Sequence, residues 1–149
     1  MKRITRSAIV ECSAAAFYAL VEEIEAYPAF LPWCAAAEVR ERAPGRTVAT
    51  LTLGVKGIRQ SFTTENTNVP GHSIDMRLID GPFKRFAAAW RFTALRAHAC
   101  KAEFSLEYQF ANRLAAATLG PVFSRIADST VEAFTRRARR HLDGQPAAH

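Results

Sequence analysis

The chain has no hydrophobic run approaching the roughly 20 residues that a membrane-spanning helix requires. Its first residues, Met1 to Val10, mix charge with β-branched side chains and lack the apolar segment of a secretory signal. The expectation is a soluble, cytoplasmic protein. Cysteine is scarce: Cys12, Cys34 and Cys100 are odd in number and without metal-type spacing, which points to reduced thiols packed as small hydrophobes. Repeats and low-complexity tracts are missing. So are a Gly-x-Ser-x-Gly nucleophile turn, a His-Glu-x-x-His pair and a phosphate-cradling glycine loop. His72 and His98 fall in predicted turns and His141 and His149 near the C-terminus, so neither a metal site nor a histidine base has positional support. Glu65, Glu103 and Glu107 are expected on outward or edge-facing positions, which disfavours paired-carboxylate catalysis. The reading is therefore of a protein that is not an enzyme and carries no cofactor or metal.

Acidic residues are also short, 14 against 20 basic, for a formal charge of +6. Such a surplus favours polyanions, either RNA or anionic lipid headgroups, without choosing between them. What the chain does have is hydrophobic residues, 49% of its 149, enough for one full core. A single domain over residues 1–142 followed by a flexible tail, 143–149, is the expected organisation.

Hydrophobic periodicity sets the element order. Ile4 to Val10 read as a strand, and Ser13 is placed to cap a helix carrying Phe17, Leu20, Val21 and Ile24. That helix should end near Tyr27-Pro28, and the segment from Pro28 to Pro32 allows no more than a short helical turn. From Ala36 the period is two: Leu51, Leu53 and Val55; Ile58, Gln60 and Phe62; Ile74, Met76 and Leu78; Phe86, Ala88, Trp90 and Phe92; Ala102, Phe104, Leu106, Tyr108 and Phe110. Turn signals such as Pro44-Gly45 and Pro70-Gly71 separate the runs as in an antiparallel meander. After Asn112 the period becomes helical again, with Leu119, Val122, Phe123, Ile126, Thr130, Phe134 and Ala138 in one stripe and Gly120-Pro121 expected to kink or start the helix. A lone long helix after such a sheet must bury its stripe on the sheet's concave face.

The inward positions are then Leu53, Phe62, Met76, Leu78, Trp90, Phe92, Phe104, Leu106 and Tyr108 on the sheet, opposite Leu119, Phe123, Ile126 and Phe134 on the helix. A filled core and a lined cavity share this pattern, and both readings stand. Phe30, Leu31 and Trp33, between Pro28 and Cys34, must either plug one end of the sheet or touch something apolar. Arg136, Arg137, Arg139 and Arg140 form a basic cluster near the end of the helix, where the dipole also favours cations.

Five segments carry a family likeness: Tyr27-Pro28-Ala29-Phe30-Leu31-Pro32-Trp33-Cys34, Leu78-Ile79-Asp80-Gly81-Pro82-Phe83, Trp90-Arg91-Phe92, Tyr108-Gln109-Phe110-Ala111-Asn112 and Val131 to Ala138. Together they resemble the coenzyme Q-binding proteins of the START superfamily, a family whose bacterial members include ribosome-association toxins and whose wider relatives include polyketide cyclases. The C-terminal run Arg139 to Gly144 lacks the tyrosine that the resemblance leads one to expect before the glycine. The resemblance implies an α+β helix-grip fold, a seven-stranded curved antiparallel sheet wrapped around a long C-terminal helix. It also implies an apolar ligand, ubiquinone or another polyprenyl quinone, held between sheet and helix, in a protein supporting respiration at the inner membrane's surface. Phe83 joins the inward residues as a candidate ligand contact. Tyr108 and the Trp90 indole are expected to orient a quinone oxygen, with Phe30, Leu31 and Trp33 and the four arginines meeting ligand or anionic membrane. The alternative is ribosome association that hinders subunit joining, with the arginines on ribosomal RNA. DNA is not an expected partner.

Overall fold

The computed structural model describes residues 2–142, the side chains of residues 141 and 142 apart; the expected tail over 143–149 lies outside the described residues. Seven strands, β1 (Lys2–Val10), β2 (Cys34–Ala43), β3 (Arg46–Val55), β4 (Ile58–Val69), β5 (Ser73–Asp80), β6 (Phe83–Arg96) and β7 (Ala99–Phe110), form one sheet in the order β1-β7-β6-β5-β4-β3-β2. Every pairing is antiparallel, so β2 to β7 are a meander, and β1 closes onto β7 at the far edge. Between β1 and β2 the chain makes α1 (Ala14–Glu22), a single 3-10 turn (Ile24–Ala26) and the short α2 (Tyr27–Phe30); α3 (Arg113–Leu142) follows β7. This is the helix-grip arrangement expected from the sequence.

The period-two runs place their apolar residues on the concave side. Register aligns Ile74 with Trp90, Trp90 with Phe104, Ala88 with Leu106 and Leu51 with Phe62, which makes cross-strand rows of large apolar side chains. Register shifts between Cys34 and Ala36, Val39 and Glu41, Phe83 and Arg85, and Ala94 and Arg96 mark bulges, the usual device for bending a sheet. The β3–β4 hairpin turns on Lys56 and Gly57, both at positive φ, as a two-residue turn matched to strand twist requires. Gly54 is needed for a different reason: a Cβ there would sit 2.6 Å from the Ala35 Cβ, and its N–H donates to the Trp33 carbonyl at 2.9 Å. The apolar segment after α2 is thereby tied to the sheet.

Ser13 caps α1 as expected, its hydroxyl accepting from the Ala16 N–H at 3.1 Å. The expectation for the last helix needs correction at its start. It begins at Arg113, capped by Asn112, whose carboxamide oxygen accepts from the Ala115 N–H at 2.8 Å, and it runs on through Pro121. Its first two turns, including Leu114 at 77% exposed, lie outside the core, and the expected stripe from Leu119 to Ala138 is buried. The inner face of β4 continues past the expected run of Ile58, Gln60 and Phe62. Beyond Phe62 it carries Thr64, Asn66 and Asn68, all buried, with Asn68 donating to the Thr47 hydroxyl at 3.0 Å.

Phe17 is fully buried among Trp90, Phe92 and Phe134, at centroid distances of 6.0, 5.9 and 6.5 Å. Phe17→Ala should lower stability by about 3–5 kcal/mol in urea unfolding with an unchanged denaturant slope. Leu114→Ser should change it by less than about 0.5 kcal/mol.

Candidate functional site

The concave face of the sheet and α3 leave a small space between them. Phe86, Ala88 and Trp90 on β6, Phe104 and Leu106 on β7, and Leu51, Phe62 and Met76 on β3 to β5 line one side. Phe123, Ile126, Thr130 and Phe134 line the other, and Tyr27, Leu31 and Trp33 close one end. The volume is about 60 Å³, far below the roughly 300–1,000 Å³ of pockets that hold drug-sized ligands.

Aromatic packing explains the small size. Around Phe134, the rings of Trp90, Tyr27 and Phe30 lie at 5.3, 5.3 and 5.1 Å, each near edge-on. Around Phe123, those of Phe83 and Tyr108 lie at 4.9 Å and that of Phe62 at 6.2 Å. The cavity is the gap between these clusters, where α3 presents the smaller Ile126 and Thr130.

The candidate ligand residues therefore separate. Leu31, Trp33, Phe62, Met76, Trp90, Phe104, Leu106, Phe123, Ile126 and Phe134 meet at the cavity. Seven others lie outside its lining. Phe92 stacks on Trp90 beneath Phe17 and Tyr18, and Phe83 packs among Phe62, Phe86, Phe110 and Phe123. Leu53 and Leu119 are buried away from it, Leu78 is half-buried beside Gly81, Phe30 sits on the outer side of Phe134, and Tyr108 lies beyond Phe123. Tyr27, Leu51, Phe86, Ala88 and Thr130 were missed as candidates. Four of these five were already visible in the periodic runs; only Tyr27, in the irregular segment, had no such signal.

Few polar groups reach the cavity, and most are engaged. Tyr27 donates its hydroxyl to the Val21 carbonyl, and burial holds its phenol far above the ordinary value. Thr130 donates to the Ile126 carbonyl within its own helix. The Trp33 indole N–H, in contrast, is buried without a hydrogen-bond partner among the described residues. An unpaired buried donor costs about 1–3 kcal/mol, which an acceptor placed in the cavity would recover. Trp33, together with Leu31, faces inward at 8% and 2% exposed. Of the two readings of this segment, plug or apolar contact, the inward packing of Leu31 and Trp33 matches the plug.

The arginine cluster also divides. Arg137 is partly buried, its guanidinium 5.0 Å from the Phe30 ring centroid and its Nε without a partner among the described residues. Arg136 pairs with Glu132 at 2.8 Å; Arg139 and Arg140 are exposed and hold no ion pair among the described residues. Elsewhere, Arg3, Arg6, Arg40, Arg42, Arg46, Arg77 and Arg91 pair with carboxylates. No such pair forms among the described residues for Lys2, Lys56, Arg59, Lys84, Arg85, Arg96, Lys101, Arg113 or Arg125, so the positive surplus is a property of the surface.

Over residues 10–135 the chain matches the family described as polyketide cyclase / dehydrase and lipid transport. It is 41% identical over 139 residues to the ribosome association toxin RatA of Escherichia coli, an alignment covering 93% of this chain and 88% of that protein. It is 26% identical over 145 residues to the mitochondrial coenzyme Q-binding protein COQ10 homolog B of Xenopus laevis, covering 93% of this chain and 59% of that one. Among solved structures it resembles the Zhui aromatase/cyclase from Streptomyces sp. R1128, with a TM-score of 0.83 at 17% identity over 96% of this chain and 98% of that one, a likeness of fold. The chain belongs to the polyketide cyclase / dehydrase and lipid transport family.

All three cysteines are buried. Burial pushes the Cys34 thiol up to about 11, partly offset by its donation to the Ala36 carbonyl at 3.3 Å, and burial also raises Cys100. Native protein at pH 8 should react with a thiol reagent far more slowly than urea-unfolded protein. Because the folded pKa of Cys34 lies above the unfolded one, its contribution to stability is complete below the ordinary thiol value. It is lost as pH rises through about 11, so the urea midpoint should fall across that window.

Proposed function

We propose that this member of the polyketide cyclase / dehydrase and lipid transport family associates with the ribosome, contacting ribosomal RNA through surface cations and hindering subunit joining. The observation that carries this reading is the 41% identity, over 93% of the chain, to a protein named as a ribosome association toxin. The surface supports it: many lysines and arginines lack a carboxylate partner among the described residues and so remain available to phosphates. RNA contacts of this kind need no base-stacking platform, which suits a protein whose aromatic rings are mostly buried. The cavity offers no rival chemistry, since neither a carboxylate nor a histidine nor a lysine is among its lining residues. This function is binding without bond making, exercised in the cytoplasm.

A second reading is favoured by the unpartnered Trp33 N–H in an otherwise apolar cavity, and by similarity to a protein named for coenzyme Q binding. In it the protein takes up an apolar ligand bearing a carbonyl oxygen, such as a polyprenyl quinone, with Trp33 donating to that oxygen in place of the expected Trp90 and Tyr108. A space of about 60 Å³ has to open for this, by displacement of the Tyr27 to Trp33 plug from Phe134. A quinone already dissolved in a bilayer gains little from a second apolar site, so exchange would occur at a membrane surface. There exposed cations such as Arg139 and Arg140 would add about 1 kcal/mol each on anionic lipid.

Sedimentation of the purified protein with ribosomal subunits tests the first reading. Binding should weaken steeply between about 50 and 200 mM salt, with a log–log slope of about −0.7 to −0.9 per phosphate neutralised. Arg139→Glu/Arg140→Glu should weaken it further and flatten that slope. Failure to sediment at low salt would refute the reading. For the second, titration with decylubiquinone should quench tryptophan emission saturably. Trp33→Phe should weaken binding by about tenfold, the scale of one hydrogen bond; absence of saturable quenching would remove it.

A further inference from the structure

A space far larger than the interior cavity lies outside the core. A groove of about 680 Å³ lies where the end of β7 meets the start of β1 and the first turns of α3, within the size range of ligand sites. Its charge is of one sign. Lys2, Lys84 and Arg113 line it, no carboxylate does, and none of the three cations holds an ion pair among the described residues. Beside them α3 begins. Asn112 engages the Ala115 and Ala116 amides, and helix geometry leaves the N–H groups of the first helical positions without an intrahelical acceptor.

A separate observation points to a ligand. Tyr108 is 2% exposed, its ring held by Phe83, Phe110 and Phe123 at 6.4, 5.4 and 4.9 Å, yet it contributes to the wall of this groove. Its hydroxyl makes no hydrogen bond among the described residues and is not sealed from solvent, so it is free to meet a ligand in the groove. Burial raises its pKa, so the group stays protonated and can donate. Phe110, Ala111, Ala116 and Pro121 give the groove an apolar wall, alongside the polar side chains of Gln109, Asn112 and Ser124. Three cations, a hydroxyl and apolar side chains sharing one groove match an acid-headed amphiphile.

We propose that this groove binds an alkyl or prenyl phosphomonoester. The phosphate sits on Lys2, Lys84 and Arg113 and accepts from the Tyr108 hydroxyl, and the apolar chain lies along Phe110 and Pro121. Two or three cations against a phosphomonoester of charge about −1.5 to −2 leave the site near neutral when occupied. Arginine adds bidentate geometry that lysine lacks. The site is independent of ribosome contact through Arg139 and Arg140 and of the interior cavity.

The test is calorimetry with two-dimensional amide NMR, using dodecyl phosphate below its micellar concentration, inorganic phosphate, dodecyl maltoside and a single-stranded RNA oligonucleotide as probes. Dodecyl phosphate should bind one per chain and shift amides over residues 110–116. Inorganic phosphate should shift the same amides only at higher concentration, and dodecyl maltoside should not bind. Lys84→Ala and Arg113→Ala, both exposed positions, should each weaken dodecyl phosphate about tenfold, and Tyr108→Phe by about three- to tenfold. Equal binding of dodecyl maltoside, shifts confined to the cavity residues, or affinity unchanged in folded Arg113→Ala would overturn the site. Tighter binding of the RNA oligonucleotide at the same amides would overturn it in favour of a nucleic-acid surface.

Discussion

The concave face of the seven-stranded sheet is covered by α3 together with α1 and the Tyr27 to Trp33 plug, and the packing of Phe123 and Phe134 of α3 against that face is the contact on which the rest depends. Burying each such ring is worth about 1.5–3 kcal/mol. Each also organises a cluster: Phe134 gathers Phe17, Tyr27, Phe30 and Trp90, and Phe123 gathers Phe62, Phe83, Tyr108 and Phe110. Between them the helix presents Ile126 and Thr130, too small to reach the sheet. The interior space follows from this order of side-chain sizes along one helix face, large, medium, small, large.

The same contact directs attention from the interior to the surface. With both ends of the helix face occupied by aromatic rings and the Tyr27 to Trp33 plug tied to Gly54, the core has room for little beyond its own side chains. The concave space at the outside, between β1, β7 and the overhanging first turns of α3, is about ten times larger and carries the opposite chemistry, cationic and half polar. Those turns project because the buried stripe starts only at Leu119, six residues after the helix begins.

Much of this was legible in the sequence. Alternation in Phe86 to Phe92 and Ala102 to Phe110 revealed strands and their buried faces, and the stripe from Leu119 to Ala138 revealed the covering helix. Alternation reports which face a residue occupies but not where along the strand it lies relative to the helix. Phe92 and Phe104 therefore looked equivalent, although one packs under α1 and the other lines the cavity. Thr64, Asn66 and Asn68 share a face with Phe62, and their polarity masked their burial, because only the register with β3 supplies Thr47 as a partner. Arg137 read as a surface cation because a stacking partner 107 residues away, Phe30, has no local signature. Pro121 suggested a helix start, whereas the Asn112 cap nine residues earlier was the operative signal.

The claim that function lies on the surface, with the interior serving as core, is tested most directly by filling the cavity. Thr130→Leu adds apolar bulk where Thr130 lines the gap between the two aromatic clusters and leaves every surface cation in place. The account predicts a thermal midpoint equal to or above the parent's and undiminished sedimentation with ribosomal subunits. A folded Thr130→Leu protein that no longer sediments would show that the interior must open or hold a ligand for the surface to act, and would contradict it.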